Sequence, residues 1–501
     1  MKRFVCILLV FLLLCSALTA CNTPDEQGVD PGDRIEGSWE GVDFGGQEVH
    51  LCLSANQNPE FTFPAADIYT KGPDKAGSNE VTKEVLARNK RASDDLGISI
   101  KYSTTDYYTK QIITEVRAIV QTAAKNSPDV YSNDLYGLSR CMVDGLLWNI
   151  TDAGEGVKNY FDFSHKGYYL DYMKGCTFDQ SKLYIFAGDY FIDMIRMAWV
   201  IYVNNDLFSE NIGKMPSWCD SLDTFYEFVA DGFWDMDVIA EISSRVFVDS
   251  GKIGTTEKTD DIVGFAVNHT TDWIFSAASG VNLYYQDAED NFTPKVMESI
   301  EVYQKVADKF VEMQTSRGVY WETNVLSSTS CFLNGNVLFA ISRLGEMEAE
   351  GMRSFSDAKG LTPVPKWEDG AQEEYYTCVH DQAELGAILK TAKAFSAASA
   401  LMQYLNENSE AVVYAYYEKG LKYKYNDDKR AREMMDIVRD STDSPFGFQI
   451  GVVSQELYTG TPALTGMYIE NNTTCASTFA SERGAYVDCL NRMVENFKNL
   501  E

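Results

Sequence analysis

The strongest constraint on the fold is an alternation of two periods in the first third of the chain. Val49-His-Leu-Cys-Leu-Ser-Ala55 alternates as a strand does, residues 79–96 carry helical spacing, and residues 98–102 alternate again. Residues 107–125 then form an amphipathic helical pattern, and Asp129-Val130-Tyr131 leads into a third strand. Strand, helix, strand, helix, strand in runs of this length predicts a parallel sheet with helices on its faces. Ligands of such sheets sit at the carboxyl ends of the strands. Two loops fall there: residues 56–63, with Glu60, and Ser132-Asn133-Asp134-Leu135-Tyr136. Asp134 has an alternative role as the cap of the next helix, which is expected to include Gly145 to Asp152.

Mid-chain, two short apolar runs, 183–187 and 198–203, are rich in aromatic and β-branched residues and have strand length. Gly188, Asp189 and Tyr190 lie between them, and Asn204-Asn205-Asp206 follows as a cap for a helix starting near Leu207. Further on, 262–267 reads as a strand before a polar loop ending in Asp272-Trp273. Residues 297–313 read as a helix, and Tyr320-Trp321 falls in the loop after it. Gly335 makes a turn into a buried strand that ends at Arg343, with Glu346 close enough to pair with it. The remaining expected elements are a strand at 385–389 and helices at 396–405, 428–439 and 480–500.

The N-terminus is basic at Lys2 and Arg3, apolar from 4 to 14, and reaches Leu18-Thr-Ala-Cys21. This is the pattern of an export signal, and the apolar run is well short of the ~20 residues needed to span a bilayer. Leu-x-Ala-Cys resembles the lipobox of bacterial lipoproteins, which implies cleavage at Cys21 and a lipid on that residue. Residues 22–46 are acidic, carry Gly and Pro, and read as a flexible tether.

What remains is too long for one core, so two lobes are expected. The chain holds 43 basic and 74 acidic side chains, and without Lys2 and Arg3 the balance is −33. That charge excludes a nucleic-acid partner, which needs a basic surface. Eight cysteines lie beyond Cys21, none in a CxxC pair, and only four His occur. No metal-ligand spacing is present, and no cofactor is expected. There is no Gly-x-Ser-x-Gly elbow, P-loop or HExxH motif, so no catalytic residue is assigned.

Several of these segments resemble the extracellular solute-binding proteins of bacterial ABC transporters. The resemblance is to the family of maltose-binding-protein-like carbohydrate binders, in its clostridial type. It rests on Tyr202-Val-Asn-Asn-Asp-Leu-Phe208, on Pro128-Asp-Val and the loop after it, and on Pro216-Ser-Trp218. It rests also on the strand, polar-aromatic loop and helix around Trp273, on the Gly335 turn, and on Gly360-Leu-Thr-Pro-Val-Pro-Lys366. It implies an α/β, periplasmic-binding-protein-like type II fold with two lobes joined by a hinge. Lobe 1 would comprise 47–188 and 386–443, and lobe 2 would comprise 189–385 and 444–501.

By matching position the resemblance implies ligand contacts from Asp134, Tyr136, Asp189, Tyr190, Asp272, Trp273, Arg343 and Glu60, with weaker candidates in His380 and Asp381. A Trp face suits a pyranose, whose C–H face stacks on the ring while its rim needs hydrogen bonds. The expected protein is a monomeric, lipid-anchored binder that delivers a mono- or oligosaccharide to ABC permease subunits. Asp189-Tyr190 and Arg343 depart from the best-known maltodextrin binders, so the ligand need not be a maltodextrin. The alternatives are an exported carbohydrate-active enzyme and a sensor or adhesion lipoprotein.

Overall fold

The run at 49–55 folds as strand β1, Gln47–Ser54, whose middle residues are buried. A computed structural model of the chain describes residues 39–55, 65–73, 79–178, 180–249, 261–268, 272–322, 332–421, 429–442, 444–454, 457 and 475–500. Cys21 and Glu60 lie outside the described residues. β1 pairs in parallel with β2, Ile98–Thr105, and with β3, Val130–Asn133. The helix between β1 and β2, Glu80–Leu96, starts where the Asn79 side chain accepts from Thr82 N and ends at the left-handed Gly97. Such caps satisfy backbone groups that the helix itself leaves open.

The helix Leu135–Val143 ends earlier than the sequence suggested. Gly145 takes φ +69°, a left-handed conformation that costs glycine little, and Leu147 then bridges to Leu389 instead of continuing a helix. Of the run 183–187 only Phe186 pairs, exchanging both backbone hydrogen bonds with Gly386 at 2.8 and 3.0 Å.

The second sheet is built from five strands. β4 is Trp199–Asn204, β5 is Val263–Asn268, and β6, Tyr284–Asp287, forms a separate hairpin with β7, Thr293–Val296. β8 is Val319–Glu322, β9 Val337–Arg343, β10 Lys359–Pro363 and β11 Leu385–Ile388. The sheet orders are β11-β3-β1-β2 and β10-β4-β9-β5-β8. Tyr320 and Trp321 therefore sit on a strand, because β8 pairs in parallel with β5. Four residues at a sheet edge are too few to give a period in the sequence.

The two sheets share one logic. Each has parallel strands plus one antiparallel strand that the chain lays down on arriving from the other sheet. β4 enters the second sheet antiparallel to β9, and β11 enters the first antiparallel to β3. Around the second sheet the core includes Val200, Ile201, Tyr202, Phe225, Trp234 and Phe339. The helix Lys429–Asp440 packs on β10, and the helix Cys475–Lys498 packs on β7 and the helix Glu301–Thr315. Six of the seven described cysteines are buried and all seven are free thiols, in keeping with their apolar neighbours in the sequence. Among the described residues no helix is long and apolar enough to cross a membrane.

Candidate functional site

Two passes of the chain between the sheets run side by side and antiparallel. Trp199 N donates to Cys378 O at 3.0 Å, and His380 N donates to Met197 O at 2.9 Å. Glu384 N donates to Asp193 Oδ2 at 3.2 Å. A third pass lies alongside, where Thr377 N donates to Ser441 O at 2.7 Å. Residues from both sheets are thereby gathered along one short ladder.

At the second sheet's end of this ladder, Trp199 and Arg343 are register partners of β4 and β9. The Arg343 guanidinium lies 5.4 Å from the Trp199 ring centre and donates from Nη2 to Glu346 Oε1 at 2.7 Å. Trp273 meets Trp199 edge to face at 6.2 Å, and His380 stacks on Trp199 at 5.7 Å. His380 Nδ1 lies 2.9 Å from Asp381 Oδ1. Trp199 is only 5% exposed, whereas Trp273 is half-buried and keeps part of its surface open. Trp rings, an imidazole and a planar guanidinium held by a carboxylate are a set that can stack on a ring and direct hydrogen bonds to its rim.

The other expected residues have partners of their own. Asp134 caps its helix, Oδ1 accepting from Gly137 N and Oδ2 from Thr109 N, each at 2.7 Å. Burial pushes its carboxyl up to about 7 against these bonds. Leu135 N donates to Asp381 O at 2.9 Å, which ties this helix start to the loop carrying His380. Tyr136 lies beneath the Arg140 guanidinium, 4.7 Å from the ring centre, and takes a 3.0 Å bond from it.

Asp189 is buried and accepts two bonds from Arg439, at 3.0 and 2.7 Å. Burial raises its carboxyl while Arg439 opposes the shift. Tyr190 is fully buried under Arg88 at 4.7 Å, its backbone N bonded to Asn406 Oδ1 at 3.1 Å. Asp272 opens the helix Asp272–Ala278, and its side chain lies outside the described residues. Trp273 and Arg343 are thus brought together around Trp199. Asp189 and Tyr190 are packed into the interior where the chain leaves the first sheet.

Two residues escaped the sequence reading. Trp199 opens a run that looked like an ordinary buried strand, and only its register with Arg343 reveals its place. Glu384 stands alone as a carboxylate in the apolar run 383–389, and that isolation was a usable signal. Its Oε1 accepts from Ser54 N at 3.0 Å and from Ser132 Oγ at 2.6 Å. Burial, with the Asp193 carboxylate nearby, pushes Glu384 up to about 8. Among the described residues no group of three His, Cys, Asp or Glu side chains is placed to hold a metal ion.

No family model and no curated protein sequence matches the chain. Solved structures do match, over nearly its whole length. The GacH receptor of Streptomyces glaucescens, solved unliganded and with acarbose, is similar at TM-score 0.51 and 11% identity, over 91% of this chain and 100% of that one. The maltose-binding periplasmic protein of Listeria monocytogenes, in complex with maltose, gives 0.50 and 14%, over 90% and 98%. The galacto-N-biose/lacto-N-biose I-binding protein of the ABC transporter from Bifidobacterium longum, in complex with lacto-N-biose, also gives 0.50 and 14%, over 90% and 98%. At this identity the likeness establishes the fold. It is periplasmic-binding-protein-like type II, two α/β lobes joined by a hinge.

Proposed function

We propose that the chain is an extracellular substrate-binding protein that delivers a mono- or oligosaccharide to an ABC importer by closing two lobes around it. The observation that carries the reading is the cluster of Trp199, Trp273, His380 and Arg343 at the strand ends, beside the paired passes between the sheets. Ligands of open α/β sheets sit at strand ends, and closure of two lobes lets each supply part of the contact surface. The similar solved proteins that bind acarbose, maltose and lacto-N-biose support a sugar as the ligand class. The division into lobes falls at the passes near 189–199 and 376–385. Cleavage before Cys21, a lipid on it and a tether to about residue 46 would hold a monomer at the outer face of the cell membrane.

The reading is of a binder, without turnover and without a cofactor. Thermal unfolding of residues 22–501 against mono- and oligosaccharides, amino acids and peptides tests it. A ligand at a hundredfold excess over Kd stabilises the folded state by about 2.7 kcal/mol. A shift with one sugar class and recovery of that sugar unchanged supports the reading. Cleavage of the sugar would support an exported enzyme instead, and a shift with peptides alone would remove the sugar.

A further inference from the structure

We propose that Glu384 is the first lobe's contact for the ligand, its Oε2 forming a hydrogen bond with a hydroxyl of a neutral sugar. The proposal rests on the sugar-binding reading and names the group that the first lobe brings to it.

The position comes from topology. β1 sits between β2 and β3, and the chain runs from β1 to β2 on one side before placing β3 on the other. The gap between the carboxyl ends of β1 and β3 is therefore the point where connections part, and such gaps hold the ligands of open α/β sheets. Glu384 spans that gap. Its Oε1 takes the backbone N–H of Ser54, the last residue of β1, and the hydroxyl of Ser132 on β3. It arrives there on the pass that returns from the second lobe, anchored by Glu384 N to Asp193 Oδ2.

The other oxygen is unspent. Oε2 is buried and has no hydrogen-bond partner among the described residues, in a side chain only 2% exposed. A purely structural buried carboxyl is ordinarily bonded at both oxygens or paired with a cation. Among the described residues no Lys, Arg or His is ion-paired with Glu384. The groups near it include the carboxylates of Asp193 and Asp67, the hydroxyls of Ser132 and Tyr190 and the Cys52 thiol, while Arg196 is already committed to Asp193 and Glu348 and Lys71 to Asp67. Two donors on Oε1 fix the direction of Oε2 before any ligand arrives, which lowers the ordering cost of binding.

The chemistry of the occupant follows. A carboxylate or phosphate on the ligand would meet three acidic groups in a desolvated place and be repelled. A hydroxyl donates to Glu384 when it is ionised and accepts from it when it is protonated, so it satisfies either state. The ligand class is a neutral hydroxylated ring, not a uronate or a phosphosugar.

The test uses residues 22–501, the neutral sugar giving the largest thermal shift, and the uronic acid of the same sugar. Affinities of the wild type and of Glu384→Gln are measured by calorimetry at pH 6 and pH 9. The amide keeps an acceptor for Ser54 and Ser132 and resembles the protonated acid, so binding at pH 6 should stay within about threefold of wild type. At pH 9 the variant should bind about tenfold or more weaker, because it cannot supply the charged acceptor. The uronic acid should bind the wild type more weakly than the neutral sugar.

The same affinity ratio at both pH values would overturn the contact, since a structural role moves both alike. Tighter binding of the uronic acid would overturn the ligand class. A wild type that binds sugar beside a variant of unchanged affinity at pH 9 sinks this proposal alone. A wild type that binds no sugar sinks the transport reading with it.

Discussion

Arg196 and Glu348 meet at 2.7 Å, Nε to Oε1, with Arg196 0% exposed and Glu348 nearly so. Arg196 belongs to the pass that leaves the first sheet, and Glu348 follows β9 of the second. The pair is completed by Asp193 at 2.6 Å from Arg196 Nη1, and by the hydroxyls of Tyr69 and Tyr416, which donate to Glu348 at 2.7 and 2.6 Å. The Tyr69 ring also lies 4.5 Å from the guanidinium. The network ties residues next to both sheets into one buried unit.

Removing one member leaves the others desolvated without their partner. Glu348→Ala should cost about 3 kcal/mol or more of unfolding free energy, because Arg196 Nε and Nη2 and two tyrosine hydroxyls lose their acceptor. Urea denaturation of the two proteins measures it, and a loss within about 0.5 kcal/mol would show that Glu348 is not holding the network.

Trp273 lies half open, edge to face with Trp199 and His380. Replacement by Ala should weaken sugar binding about tenfold or more, about 1.4 kcal/mol, while the melting temperature of the free protein changes little. Trp199→Ala should differ, lowering stability as well, because that ring is buried against Arg343 and His380. Equal affinities of wild type and Trp273→Ala would remove Trp273 from the site.

The sequence carried the fold further than it carried the site. β1, β2 and the helix between them were legible because periods of 2 and 3.6 survive in the residues themselves. β8 was not, being four residues long and defined by its neighbour β5. The run at 183–187 looked like a strand, yet only Phe186 forms a β-bridge there, because pairing depends on where Gly386 lies. Asp189 looked available for a ligand because its partner, Arg439, lies 250 residues away along the chain. Glu384 was visible only as an oddity of composition until Ser54 and Ser132 were seen on either side of it.

Glu384 and Asp134 also set a pH dependence. Burial raises both carboxyls in the folded protein, to about 8 and about 7, above their values in the unfolded chain. The folded state then binds more protons than the unfolded state between roughly pH 5 and 8, so their contribution to stability is present at the acid side and lost as pH rises through the folded values. The melting temperature of wild type should fall from pH 5.5 to pH 9, and Glu384→Gln should flatten part of that fall. A variant with the same pH slope as wild type would mean that Glu384 does not titrate in this range.

Gly264, the second residue of β5, tests how tightly the second sheet is seated on its helix. A Cβ there would overlap the Cα, Cβ and carbonyl oxygen of Ser243, on the helix Met236–Val246. Two of these are backbone atoms in a buried helix, so the strain cannot be relieved by swinging a side chain away. Gly264→Ala should force the helix off β5 and cost about 1–3 kcal/mol, the range found for overpacked cores. Because β5 also leads toward Trp273, the displacement should appear in sugar affinity as well as in stability. A melting temperature equal to wild type would mean that the helix sits farther from β5 than the contact at Ser243 requires.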